Sequence, residues 1–245
     1  MNENPKTVLV TGSAGRIGRS TCKALIALGC RVRGYDIVQS PGLADAVVGD
    51  LTDAQMVRRA VQGVDAVVHL AATPDDDDFM TKLLPNNIVG LYNVMEAARE
   101  AGVSRLVLTS TGQVVSGYDW QTQVTTELLP RPGNWYASTK VFAEAAGYFY
   151  AHRHGMRVVV IRPGWCPRTP EHAAALDSSE FGKDVYFSPN DAGRCFALAA
   201  TADIDTQYVV LFAASRPVNR SRFDIEPTRR VLGFVPQDTW PEGLD

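Results

Sequence analysis

The sequence predicts an α/β fold in which a parallel sheet is covered by helices on both faces. Three observations predict it. Short runs rich in Val, Ile and Leu alternate with stretches of helical spacing, as strands buried on both faces require. Glycine ends the first run and closes several of the helical stretches, at Gly29, Gly102 and Gly155, where a helix needs a residue tolerant of left-handed backbone. The 245 residues, 45% hydrophobic and 21% charged, have the composition of a globular chain able to bury one large core.

Taken in order, Lys6 to Thr11 is a β-branched run that ends in glycines, and residues 15 to 28 then show helical spacing. Strands follow at 31–36, 46–49 and 64–70, with a short helix over 53–62 between the last two. Residues 87–101 read as a helix, 103–110 as a buried strand, 135–154 as a long helix and 157–162 as a further strand. After Pro163 the regularity weakens into a loop-rich stretch, a helix over 191–201, a strand near 208–212 and a short helix before Leu232-Gly233-Phe234. No low-complexity linker separates the two parts. One domain is expected over 1–245, with a core over 1–162 and a small lobe over 163–245 that caps the sheet edge.

Several classes are disfavoured at the outset. The net charge of −3 and the pI near 5.8 lack the basic footprint of a nucleic-acid binder. No apolar run approaches the roughly 18 residues of a membrane helix, and the polar start Met1-Asn2-Glu3-Asn4 is not a signal peptide. A cytoplasmic protein is expected. Cys22, Cys30, Cys166 and Cys195 form no CxxC pair and no metal-ligand spacing, so reduced thiols and no metal are expected.

Thr11-Gly12-Ser13-Ala14-Gly15-Arg16-Ile17-Gly18 fits GxxGxxG between a strand and a helix. Missing side chains there let a pyrophosphate approach the backbone and the N–H groups that open the helix. Asp36 lies 18 positions beyond Gly18 at the end of the second strand, where a carboxylate accepts hydrogen bonds from ribose hydroxyls. The combination predicts a dinucleotide-binding domain of the Rossmann type. Asp36 would repel a 2′-phosphate, and Ile37, Val38 and Gln39 supply no cation, so NAD is favoured over NADP. Arg16 would alter that preference only if its guanidinium reached the ribose side; a solvent-facing or pyrophosphate-side position is the expected one. Asp50-Leu51 either closes over the adenine or serves a nearby helix cap.

Tyr136 and Lys140 are spaced i, i+4 and share a helix face. An ammonium beside a phenol favours phenolate, which fits Tyr136 to exchange a proton with a carbinol. Ser110-Thr111 ends the fifth strand. Together with the glycine turn, these residues resemble the short-chain dehydrogenase/reductase superfamily along almost the whole chain. His69-Leu70-Ala71-Ala72, Asn87 in Asn87-Ile88-Val89-Gly90, Arg162-Pro163-Gly164 and Arg229-Arg230-Val231-Leu232-Gly233-Phe234-Val235-Pro236 narrow the resemblance to its extended, NAD-dependent epimerase/dehydratase type.

The resemblance implies that Tyr136 is the acid/base, Lys140 its tuner and a ribose ligand, and Thr111 the hydroxyl that binds the reacting oxygen. Thr111 is preferred to Ser110 because its distance to Val114-Val115 matches the family's Ser/Thr-x-x-Val arrangement. It further implies cofactor contacts from Gly12, Ala14, Gly15, Arg16, Ile17, Gly18, Asp36, Asp50, Leu51, Leu70, Ala71, Ala72, Asn87, Ser110, Pro163 and Cys166. Thr73, Thr111, Gly112, Gln113, Tyr136 and Arg168 are implied to face the substrate.

The short C-terminal lobe, with Asn87-Ile88-Val89-Gly90-Leu91-Tyr92-Asn93, Glu96-Ala97-Ala98-Arg99 and Asn190-Asp191-Ala192-Gly193, is most similar to uronate dehydrogenases, which oxidise free hexuronic acids with NAD. Where that subfamily has Ser-Asn-His after the fifth strand, this sequence has Thr111-Gly112-Gln113. The subfamily's carboxylate-binding Arg has no counterpart in 171–187, which holds only Lys183 as a cation, and Arg168 or Lys183 is left to replace it. Without a bidentate Arg a carboxylate binds loosely, so a neutral sugar or another secondary alcohol is a credible substrate. A nucleotide-sugar epimerase or dehydratase with tightly held NAD, and an NAD-binding sensor without turnover, are the alternatives.

Asp75-Asp76-Asp77-Asp78 is expected as a solvated loop near the pocket mouth, and His69 as a packed residue. His152 and His154 point to different helix faces. Small residues at Ala137, Ala143, Ala145, Ala146 and Gly147 suit a helix-packed homodimer or internal packing.

Overall fold

A computed structural model of the chain describes residues 6–244. Seven strands form one sheet: β1 (Thr7–Thr11), β2 (Arg31–Asp36), β3 (Ala46–Val48), β4 (Ala66–His69), β5 (Arg105–Thr109), β6 (Arg157–Pro163) and β7 (Tyr208–Ala213). Every pairing is parallel, and the spatial order is β3-β2-β1-β4-β5-β6-β7. The strand order reverses direction between β1 and β4, which opens a crevice at the carboxyl ends of the strands.

The strand pleat decides the two halves of the core. Leu9, Val67, Leu106 and Val158 point to one face and pack with α2 (Ala54–Ala60), α3 (Gly90–Glu100) and α4 (Trp135–His154). Val8, Val10, Val68 and Val107 point to the other, against α1 (Arg16–Ala27) and α6 (Pro189–Thr201). Side-chain caps fix most helix starts: Asp53 accepts from Gln55 and Met56, Asn134 from Ala137, and Ser188 from Asp191. Gly155 closes α4 in the left-handed conformation with φ 70°.

Two elements depart from the sequence expectation. The helix expected from Asn87 begins earlier, because a wide-turned π-helical segment, Phe79–Val89, runs directly into α3. Its start is capped by Asp78, and Pro85 inside it removes one backbone donor. The stretch expected as loop after Pro163 contains α5 (Pro170–Ser178), capped by Thr169 with proline at its first turn. Beyond Pro163 the chain also gives α6 and β7 to the sheet and its core, followed by α7 (Glu226–Leu232). Val185 and Phe223 from the loops there join Val114, Val115, Val124 and Phe212 in a small separate core. Among the described residues no helix is long and apolar enough to cross a membrane.

Candidate active site

The carboxyl ends of β1 to β6 open into one cavity of about 670 Å³. Its cofactor half is built from backbone. Gly12 has φ 72°, and a Cβ there would lie 2.8 Å from the Ala71 amide nitrogen. At Gly18 a Cβ would lie 2.0 Å from the Gly12 carbonyl oxygen. The turn closes only with both side chains missing. It delivers Gly15, Arg16, Ile17 and Gly18 to the cavity wall. Helix α1 starts at Gly15 without a side-chain cap and without an acidic residue in its first turn, so its leading N–H groups are left to an anion.

Asp36 ends β2 at the cavity wall and accepts from the Ala14 amide at 2.9 Å. Ala14 therefore acts on the site through Asp36, not from the cavity wall. Ile37 and Val38 beside it are exposed. Arg16 lines the same cavity, near enough to Cys166 and Tyr186 for its charge to act on both. Asp50 and Leu51 line the cavity, but one Asp50 carboxylate oxygen is held at 2.8 Å by both the backbone and the hydroxyl of Thr52. The helix cap belongs to Asp53.

Leu70, Ala71 and Ala72 line the wall after β4. Asn87 and Thr73 do not reach the cavity. Asn87 accepts from the Thr73 amide at 2.8 Å and donates to the Thr73 carbonyl and the Thr139 hydroxyl, both at 3.1 Å. The Thr73 hydroxyl is taken by Asn86 and the Lys82 carbonyl. Both residues clamp the loop that carries Ala71 and Ala72. Pro74, Asp75 and Asn86 face the cavity instead.

At the end of β5 the neighbouring hydroxyls divide. Ser110 is fully buried and donates to Glu144 at 2.5 Å, and Glu144 is forked by Arg162 through two 2.8 Å contacts. The Ser110 side chain is thus committed to the core, leaving its backbone at the wall. Thr111 faces the cavity; its hydroxyl accepts from the Gln113 amide at 3.2 Å and lies close enough to Tyr136 to favour the phenolate. Gly112 lets Phe223 approach, since a Cβ there would lie 2.6 Å from the ring. Gln113 donates to Asp75 at 3.2 Å and accepts from Asn134 at 3.0 Å.

Tyr136 and Lys140 lie on the same face of α4, with the ammonium 5.6 Å from the ring centroid. The expected depression of the phenol is not what this environment produces. Burial and the Asp75 charge push Tyr136 up to about 12, against smaller downward pulls from Thr111 and Arg168. Burial brings Lys140 down to about 8. His69 is packed, as expected: it pairs with the Thr11 hydroxyl at 2.8 Å, and burial brings it down to about 3. Burial raises Cys166 to about 11, so this wall residue is a neutral thiol. Pro163, Gly164 and Trp165 precede it along the same wall.

The substrate half is assembled from side chains distant in sequence. Trp120, Trp165, His172, Arg222 and Phe223 line it, and none carried a local motif. The four aspartates are all exposed, as expected of a solvated loop near the pocket mouth, and three of them have partners: Asp75 binds Arg168 at 2.5 Å, Asp76 accepts from the Tyr136 amide at 3.2 Å, and Asp78 caps the π-helical segment. Lys183 pairs with Asp177 at 3.0 Å and is not part of the cavity wall. Among the described residues no three His, Cys, Asp or Glu side chains are grouped to hold a metal ion.

The sequence matches the NAD dependent epimerase/dehydratase family over residues 8–165. The chain belongs to this family. The bare glycine turn, the uncapped α1 and Asp36 fit its NAD cofactor. An L-arabinose 1-dehydrogenase (NAD(P)(+)) of Haloferax volcanii is 32% identical, matched over 94% of this chain and 96% of its own. A uronate dehydrogenase of Agrobacterium fabrum is 31% identical over 75% of this chain and 69% of its own. The crystal structure of a glucuronic acid dehydrogenase from Chromohalobacter salexigens superposes with a TM-score of 0.83 at 31% identity, covering 96% of this chain and 86% of that one. The likeness to uronate dehydrogenases thus holds, beside a pentose dehydrogenase matched over more of the chain.

Proposed function

We propose that the protein is an NAD-dependent dehydrogenase that oxidises a hemiacetal or secondary alcohol carbon of a small sugar or sugar acid. The observation that carries this reading is the meeting of Thr111, Tyr136 and Lys140 on one wall of a cavity whose other end is the glycine turn. Gly12, Gly15, Gly18, Asp36, Ala71 and Ala72 would hold the cofactor, with Arg16 toward its pyrophosphate. Bound NAD supplies the hydride acceptor.

Thr111 and Tyr136 present two hydroxyls side by side, so a carbinol oxygen can be held between them. Tyr136 takes the carbinol proton as general base in oxidation and returns it as general acid in reduction. With the phenol at about 12 the acid form dominates at neutral pH, and the base form grows tenfold per unit as pH rises toward that value. Lys140 sets the charge beside the phenol. Trp165 and Phe223 supply apolar surface to the same cavity.

The test is NADH formation by purified protein with NAD and a panel of arabinose, galactose, glucose, galacturonate and glucuronate. Turnover that rises from pH 7 to pH 10 and falls at least about 10³-fold in Tyr136→Phe, with NAD still bound, is the expected result. Silence on free sugars with NAD retained through purification would turn the reading to a nucleotide-sugar epimerase, and silence with exchangeable NAD to a sensor.

A homodimer built on α4 and the segment leading into α3 belongs to the same reading. Of the small residues expected at its interface, Ala137, Ala143 and Gly147 are buried, and a Cβ on Gly147 would lie 3.0 Å from Leu108, while Ala146 is half-buried and Ala145 exposed. What these elements expose is Val89, Tyr92, Trp135, Phe142, Tyr148 and Phe149, an apolar set of the kind that marks an interface. Light scattering at about twice the 26.6 kDa chain mass is expected, and a monomer would remove the proposal.

A further inference from the structure

The cavity brings four cationic side chains to its wall, Arg16, Lys140, Arg168 and Arg222. A substrate carboxylate needs one of them uncommitted. Lys140 stands beside the acid/base Tyr136, and Arg16 opens α1 on the pyrophosphate side. Arg222 is spent on backbone, donating to the carbonyls of Tyr118, Asp119 and Thr122, and it lies 5.0 Å from the Trp120 ring centroid. That leaves Arg168, and Arg168 already holds a carboxylate, that of Asp75.

We propose that Asp75 is the specificity-determining residue of this pocket: by occupying the Arg168 guanidinium and the Gln113 amide it makes the site accept a neutral sugar and reject a carboxylated one. The proposal rests on the reading of the site as a sugar dehydrogenase. Both Asp75 oxygens are engaged, Oδ2 by Arg168 and Oδ1 by Gln113 at 3.2 Å. Asp75 lines the cavity, and its charge also acts on the Tyr136 phenol. An anionic sugar must displace Asp75 from its cation and then remain beside that like charge, a penalty that acts on binding itself. A neutral sugar meets no such penalty. Its hydroxyls donate to Asp75 and accept from Arg168 and Gln113, as a mixed set of donors and acceptors allows.

The backbone supports the assignment. Asp75 is the one non-glycine residue with positive φ, 66°, among the described residues, a conformation that Asp and Asn adopt more readily than other side chains. Asp75→Asn therefore removes the charge while keeping the shape and the backbone. The Asp75–Arg168 pair is also half open to solvent, with side chains 51% and 37% exposed, so its loss has little effect on folding.

The experiment is calorimetric binding of galacturonate and of galactose to the NADH-loaded protein, in which oxidation cannot proceed, beside turnover of both sugars with NAD. Wild type is expected to prefer galactose. Asp75→Asn is expected to shift the ratio of the two dissociation constants toward galacturonate by about tenfold or more, equivalent to ~1.4 kcal/mol, and adding Arg168→Gln is expected to remove that gain. A wild type that prefers galacturonate, a ratio unmoved by Asp75→Asn, or no binding of either sugar overturns the proposal. A shifted ratio without turnover of either sugar upholds Asp75 as the selector and overturns the dehydrogenase reading instead.

Discussion

The two ends of the cavity are made of different materials. At the cofactor end the walls are main chain: Gly12, Gly15 and Gly18 fold so tightly that the next backbone fills the space a side chain would take. At the substrate end the walls are side chains, with Asp75, Gln113, Trp165, Arg168, Arg222 and Phe223 arriving from loops up to about 150 positions apart in the chain. A backbone-built site needs particular residues at fixed local spacing. A side-chain-built site needs only that distant loops converge, and convergence leaves no local pattern.

If that distinction is right, the cofactor end should be the more brittle. Gly18→Ala would put a methyl 2.0 Å from the Gly12 carbonyl oxygen and 2.8 Å from the Ser13 Cα, both backbone atoms that cannot rotate away. The turn must open to admit it. A stability loss of about 3 kcal/mol is expected, which for a chain of this size lowers Tm by about 10 °C, together with weaker NAD binding in the same preparation. Calorimetric melting and NAD titration check both, and an unchanged Tm would show that the turn has slack the geometry denies.

The same distinction explains what was legible in the sequence. The alternation of strands and helices, the glycine turn, Asp36 and the Tyr136–Lys140 pair all follow from local spacing or strand and helix periodicity. The partners of Asn87 and Thr73 were not legible, because a motif fixes where a residue sits in the chain, not which way its side chain turns. In the fold both are consumed in hydrogen bonds to each other and to Thr139, Lys82 and Asn86. The aspartate run does face water, as four adjacent carboxylates that repel one another should, but its partners were not legible: only the fold brings Arg168 and the Tyr136 amide to two of them. The phenol went the other way from expectation for the same reason, since burial and the charge of Asp75 outweigh the helix neighbour.

The finest form of the comparison lies in two adjacent residues. Ser110 and Thr111 are chemically alike and follow one strand, yet Ser110 is sealed in the core against Glu144 and Thr111 opens on the cavity beside Tyr136. Thr111→Ala removes one of the two hydroxyls that hold the carbinol oxygen. It is expected to lower kcat by about 10²-fold and Tm by only about 3 °C, since the hydroxyl also caps the Gln113 amide. Ser110→Ala removes a donor from a buried carboxylate that keeps only its Arg162 fork. It is expected to cost about 2 kcal/mol of stability with a much smaller change in kcat. Paired measurements of Tm and kcat on the two variants decide the matter, since a fold-only role for both, or a catalytic role for both, gives matched losses. Opposite losses are expected because the pleat turns one hydroxyl inward and leaves the next one facing the chemistry.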